Sequence, residues 1–306
     1  MSRNSSRVQS VGEPQAQQAS QPQETVRRTA NTEFVDLPSG GRFYPQGHPL
    51  HDQQIVEIRF MTARDEDVLT SQTLLNKGMA LDKFIQGILV NQNINVDDLL
   101  IGDKSAIMIA ARITGYGPEY EVKINCPSCD AEVDHEFDLS DYSKYFIADE
   151  SEGTPFELNQ NGQFVAQLPA SGQEVTVRLL TARDEKRIQK QAEMRAKNKL
   201  AESATTDLLK SIITSIGGVT QPDEVGAMVL DLPARDSLFI RKNYAKLVPK
   251  VEMKENFECM YCGEASDMEV PLGAGFFWPG GHPYDARARA DVLSDPSRKL
   301  ELLRCV

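Results

Sequence analysis

The sequence predicts an α+β fold made by tandem duplication. Each unit is a strand, a helical insert and a hairpin tipped by a cysteine pair. Two repeats carry this prediction. Met61-Thr62-Ala63-Arg64-Asp65-Glu66 returns 119 residues later as Leu180-Thr181-Ala182-Arg183-Asp184-Glu185. Cys126-Pro127-Ser128-Cys129 returns 133 residues later as Cys259-Met260-Tyr261-Cys262. A further register agrees with the second repeat. Asp103 and Asp236 each stand 23 residues before the first cysteine of their pair, and Ile107 and Ile240 follow in step. The second copy therefore carries 14 extra residues, which we place in its helical part. One C-x2-C arises readily by chance, whereas two in matching contexts do not.

Residues 1–31 are a Gln-rich arm in which Gln9, Gln15, Gln17, Gln18, Gln21 and Gln23 stand among Ser, Pro and Ala. Ordering such a segment costs entropy with little apolar burial in return, so it is expected to be disordered. The first lobe is expected over 32–150. Ser39-Gly40-Gly41 reads as a turn, and Phe43 and Tyr44 as anchors that pack the exit of the arm. Val56, Ile58 and Phe60 alternate with Ile55, Glu57, Arg59 and Met61, the pattern of a half-buried strand. Thr62 then has the chemistry of a helix N-cap. Asp65 stands where a capping-box partner belongs, and Glu66 adds favourable charge to the first turn. Helices are expected over Leu81–Leu89 and Ser105–Thr114, the second stopped by Gly115-Tyr116-Gly117-Pro118. Tyr120, Val122 and Ile124 alternate into Cys126, and Val133, Phe137 and Leu139 mark the returning strand.

The second lobe is expected over 151–275. Phe164, Val165 and Leu168 precede the turn Pro169-Ala170-Ser171-Gly172, and Val175, Val177 and Leu179 repeat the first lobe's strand. Thr181, Asp184 and Glu185 repeat its cap. Helices are expected over about 183–202, 204–217 and 235–247, and Val251, Met253 and Phe257 lead into Cys259. Residues 276–306 hold an aromatic segment and a charged helical tail over Asp285–Leu303. Phe276, Phe277 and Trp278 are adjacent and cannot share one face of a regular element. They lock the lobes together or anchor another subunit, with a carbohydrate or ligand platform as a further alternative. With Phe43 and Tyr44 they are the candidate partner-binding residues.

Composition narrows the function. A formal charge of -12 supplies no broad basic field, which argues against nucleic acid. The most basic run, Arg183, Lys186, Arg187, Lys190, Arg195, Lys197 and Lys199, is interleaved with Asp184, Glu185 and Glu193. It reads as a salt-bridged helix face, with a docking surface for an acidic partner or for nucleic acid as alternatives. No apolar run of 18 residues and no signal-peptide core are present, so no membrane is expected. His48, His51, His135 and His282 form no ligand-spaced cluster. There is no H-E-x-x-H, phosphate loop, dinucleotide fingerprint or nucleophile elbow, so no enzyme is expected.

Cys126, Cys129, Cys259 and Cys262 have the ligand type and pair spacing of a structural four-cysteine zinc site. Equivalent loops of a duplicated chain can meet at its axis and share one ion, which makes each hairpin a zinc knuckle. Unligated thiols, a redox pair and disulfides within the pairs remain as alternatives. Cys305 is a lone residue near the C-terminus and is not expected to be a ligand.

The order of motifs resembles the T4-type baseplate protein family of contractile-tailed bacteriophages, which includes the baseplate hub assembly subunit. The resemblance rests on Leu37-Pro38-Ser39-Gly40-Gly41-Arg42-Phe43-Tyr44-Pro45, the Met61–Glu66 hexad, the two cysteine knuckles and Gly275-Phe276-Phe277-Trp278-Pro279. It covers roughly residues 34–280. It implies a structural or assembly role in the tail baseplate, without enzymatic activity. The implied partners are hub, wedge or tube subunits, in the virion and, during assembly, in the host cytoplasm. A transient tail-assembly chaperone absent from the mature particle and a zinc-ribbon nucleic-acid binder are the competing readings.

Overall fold

The computed structural model describes residues 31–147, 153–198, 203–270 and 274–277, all within one compact unit. The Gln-rich arm up to residue 30, Trp278, the charged tail and Cys305 lie outside the described residues. The fold is mixed α+β, as the sequence predicts.

Strand β1 (Thr32–Asp36) pairs antiparallel with β2 (Ile55–Arg59). β1 has a weak signal in sequence, because Val35 is the only residue it buries fully. Val35 pairs with Val56. Within β2, Val56 and Ile58 are buried as the alternation requires. Phe60 lies just beyond the strand and is 36% exposed.

Helices α1 (Ala63–Thr70), α2 (Gln72–Asn76) and α3 (Ala80–Ile88) follow, with Phe84, Ile85 and Ile88 of α3 buried. A 3-10 turn over Val96–Asp98 leads into α4 (Ile101–Tyr116), which is longer at both ends than its apolar run. Ten of its sixteen residues are buried, so it is the central helix and needs no polar face. Gly102 lets it meet the backbone of another segment. A Cβ there would stand 2.1 Å from the Pro249 carbonyl oxygen. Gly117 closes the helix with a positive φ of 89°.

β3 (Glu119–Asn125) and β4 (Glu132–Asp138) form the first hairpin, with Tyr120, Ile124, Val133 and Phe137 inward. β5 (Phe146–Ile147) is short. β6 (Glu157–Leu158), β7 (Phe164–Gln167) and β8 (Glu174–Val177) begin an antiparallel sheet. Helices α5 (Ala182–Lys197) and α6 (Ala204–Ile212) follow, and β9 (Ile213–Ile216) completes the sheet in the order β6-β7-β8-β9. The sequence reading continues α6 to 217. Ile213-Thr214-Ser215-Ile216 instead pairs with β8, because a short β-branched run does not distinguish a helix end from a buried strand.

The sequence reading also passes over α7 (Pro222–Leu230). Its start carries Pro222 in the first turn, followed by Asp223 and Glu224. α8 (Ala234–Leu247) leads to β10 (Lys250–Val251), which pairs with β5. β11 (Lys254–Glu258) and β12 (Ala265–Glu269) form the second hairpin, and a 3-10 turn covers Ala274–Phe277. Among the described residues, no helix is long and apolar enough to cross a membrane.

The repeated hexads make the same contacts twice. The Asp65 carboxylate accepts from the Thr62 N–H at 2.8 Å and its hydroxyl at 2.7 Å, and from both Arg59 guanidinium nitrogens at 2.7 Å. Asp184 accepts from Thr181 N–H and hydroxyl at 3.1 Å, and from Arg178 at 2.6 and 2.7 Å. Burial opposes ionisation of both aspartates. The hydrogen bonds from Arg and Thr outweigh it and hold both carboxyls below the usual range.

The two helix-borne aspartates also act alike. Asp103 accepts from the Ser39 N–H and hydroxyl, and Asp236 accepts from the Ala170 and Ser171 N–H groups. Each fastens a Leu-Pro turn. Tyr44 and Tyr244 use their hydroxyls to accept from the Leu100 and Leu180 N–H groups, each at 3.1 Å.

Candidate metal centre

Each cysteine pair sits in the turn of a hairpin, and the two turns are built alike. The Cys126 N–H donates to the Ala131 carbonyl and the Asp130 N–H to the Cys126 carbonyl, both at 2.9 Å. At the second turn the Cys259 N–H donates to Glu264 at 2.9 Å and the Gly263 N–H to Cys259 at 2.8 Å. Asp130 and Gly263 both adopt positive φ, at 57° and 71°. Glycine suits that conformation, and Asp is among the few other residues that tolerate it. The tight turn leaves both sulfurs of a pair on one side.

The hairpins bring all four sulfurs within 4.8 Å of one another. Cys126 Sγ lies 3.7 Å from Cys262 Sγ, and Cys129 Sγ lies 3.7 Å from Cys259 Sγ. The first cysteine of each pair therefore faces the second of the other. These separations are far beyond a disulfide bond of about 2.05 Å, and the four cysteines are free. A tetrahedral ion with metal–sulfur bonds of about 2.3 Å places its ligands about 3.8 Å apart, so the sulfurs fit a four-thiolate ion. Four thiols cannot all ionise unaided. Burial opposes the Cys259 thiolate, yet N–H groups of Cys262 and Tyr261 and the neighbouring sulfurs lower its pKa to about 7. The Ala131 N–H favours a Cys129 thiolate, but desolvation and the other three sulfurs override it and push that thiol up to about 12. A bound cation would supply the charge that lets the remaining thiols deprotonate.

His135 does not belong to this cluster. Its ring meets Phe137 edge-on at 4.5 Å and Phe257 at 5.5 Å, so it joins the flanks of the hairpins below the sulfurs. Its Nε2 is buried and makes no hydrogen bond.

Of the other candidate site residues, Phe43, Tyr44, Phe276 and Phe277 lie inside the chain's own core, and Trp278 lies outside the described residues. Phe43 is 6% exposed and Tyr44 3%, while Phe276 is 1% and Phe277 3% exposed. Phe43 packs on Phe164, and the Tyr44 hydroxyl donates to Asp103 at 2.7 Å. Phe276 meets Tyr120 and Phe277 meets Phe84, both edge-on at 5.1 Å. A partner contact through any of these four would require it to leave the core.

Sequence reasoning missed the residue that holds the aromatic segment. Arg112 of α4 is 1% exposed and donates to the carbonyls of Phe276, Gly117 and Glu119 at 2.9, 2.8 and 3.0 Å. Its signal was an arginine inside the apolar run Ala106–Ile113. The basic residues of α5 are largely engaged within the chain. Arg183 pairs with Asp98, Lys186 with Asp82 and Asp97, and Arg195 with Asp207.

The described residues form a mixed α+β fold that carries a four-cysteine cluster able to hold a metal ion. The sequence matches the T4 bacteriophage base plate protein family over residues 29–278, and the chain belongs to that family. It therefore has a baseplate or baseplate-assembly role in a contractile-tailed phage, structural rather than enzymatic. Comparisons with curated proteins and with solved structures give no match.

Proposed function

We propose that this baseplate protein is a duplicated chain whose halves, residues 32–150 and 151–275, are joined by one structural zinc ion held by Cys126, Cys129, Cys259 and Cys262. The observation that carries the reading is the pair of crossed 3.7 Å sulfur contacts between segments far apart in sequence. Four thiolates in a tetrahedral array suit zinc, whose structural sites have all positions filled by protein. Such an ion binds the folded chain better than the unfolded one, so it stabilises the closed form. The duplication is supported by the matched aspartate caps, the matched knuckle turns and the equivalent roles of Asp103 and Asp236.

In this reading the protein is a resident of the virion baseplate, in contact with hub, wedge or tube subunits and assembled in the host cytoplasm. Quantitative mass spectrometry of purified virions tests residence. The expected result is a fixed copy number relative to other baseplate subunits. Its presence in assembly intermediates and absence from virions would instead make it a chaperone.

A further inference from the structure

The second knuckle carries two large side chains that the fold does not use. Met260 is 77% exposed and Tyr261 68%. They are the two most exposed large apolar residues among those described. The backbone N–H of Tyr261 serves the Cys259 sulfur, while its ring points outward. The other knuckle has Pro127 and Ser128 at the same two positions, so the turn itself requires neither Met nor Tyr.

The surroundings of this pair are acidic. Farther from the knuckle, the outward face of the β3–β4 hairpin sets Glu119 opposite Asp138 and Glu121 opposite Glu136. Glu132 and Asp134 lie on the same face, where Lys123 is the one cation among the paired strand residues. Like charges directly opposite one another destabilise a ribbon. Asp130, Glu258 and Glu264 add exposed carboxylates at the knuckles.

We propose that the knuckle end is a docking surface. Met260 and Tyr261 enter an apolar pocket on another baseplate subunit, and Lys and Arg residues around that pocket meet the knuckle carboxylates Asp130, Glu258 and Glu264. The proposal rests on the zinc reading, because an ion fixes the knuckle and lowers the entropy lost on docking. Tyr and Met are enriched at interface centres, and complementary charge selects the partner. The same acidic rim repels a second copy of this chain and repels nucleic acid.

The test places the photocrosslinker p-benzoylphenylalanine at Tyr261 of the full chain during phage infection, with Met194 on α5, 54% exposed, as the control position. The expected product joins position 261 to a Lys- and Arg-rich peptide of another baseplate subunit. Its yield should fall about tenfold or more in a Glu258→Lys, Glu264→Lys double variant, or when Met260 is changed to Ser. Crosslinks only to a second copy, only to nucleic acid, or no stronger than from position 194 would overturn the proposal. Zinc is measured on the same protein. Zinc without the crosslink sinks the docking surface alone, whereas the crosslink without zinc sinks the metal reading alone.

Discussion

Removing Asp65 or Asp184 should destabilise the chain by similar amounts, because each carboxylate caps its helix and binds an arginine fork in the same way. Asp65 is 5% exposed and accepts four hydrogen bonds, two from the Arg59 fork and two from Thr62. Breaking a buried ion pair on one side costs about 3–5 kcal/mol, and losing a cap costs about 1 kcal/mol. The Arg59 side chain remains 27% exposed, so water recovers part of the guanidinium's loss. We expect Asp65→Ala to cost about 3 kcal/mol. Asp184→Ala should cost about the same, since the Arg178 side chain is 31% exposed. At roughly 2–4 °C per kcal/mol, each variant melts about 6–12 °C lower. The assay is urea and thermal unfolding of the full chain, with a double-mutant cycle. Arg59→Ala should add little once Asp65 is gone. A cost below about 1 kcal/mol for either aspartate, or full additivity with its arginine, would refute the reasoning. The forks would then be surface pairs that water replaces.

The pH dependence should divide by sign. Asp65 and Asp184 titrate below the unfolded value of about 3.9, so their contribution is full above that pH and is lost as pH falls through their folded values. Asp103 is raised by burial, with its three hydrogen bonds opposing the rise. Its contribution is present below about pH 3.9 and is lost as pH rises through the folded value. Unfolding profiles of Asp103→Asn should therefore lose less stability between pH 4 and 7 than the parent. Arg112→Lys replaces a fork that serves three carbonyls by a point donor. It should cost about 2–4 kcal/mol and open the chain to chymotrypsin after Phe276 or Phe277. Gly102→Ala should cost about 1–3 kcal/mol in the same unfolding assay, because its Cβ meets backbone that cannot swing aside.

The caps and knuckles were legible because their chemistry is local. Thr62 and Asp65 are three residues apart, and so are the two cysteines of each pair. The crossed sulfur contacts require the two loops to meet, which spacing alone leaves open. The Arg59 and Arg178 forks were visible in principle, since R-x2-T-x2-D recurs at the same 119-residue interval. They were missed because strand alternation made both arginines look like ordinary outward residues. β1 and β9 depend on partners distant or ambiguous in sequence. Phe43, Tyr44, Phe276 and Phe277 carry the residue types of an interface and of a core alike. Their burial follows from tertiary partners, namely Phe164, Asp103, Tyr120 and Phe84.

The central claim is that four cysteines close one metal site. Native mass spectrometry with elemental analysis of the full chain tests it most directly. The account predicts one zinc ion per chain, lost completely in Cys126→Ser and equally in Cys259→Ser. No metal, two ions per chain, or a variant in one pair that leaves zinc bound to the other would contradict it.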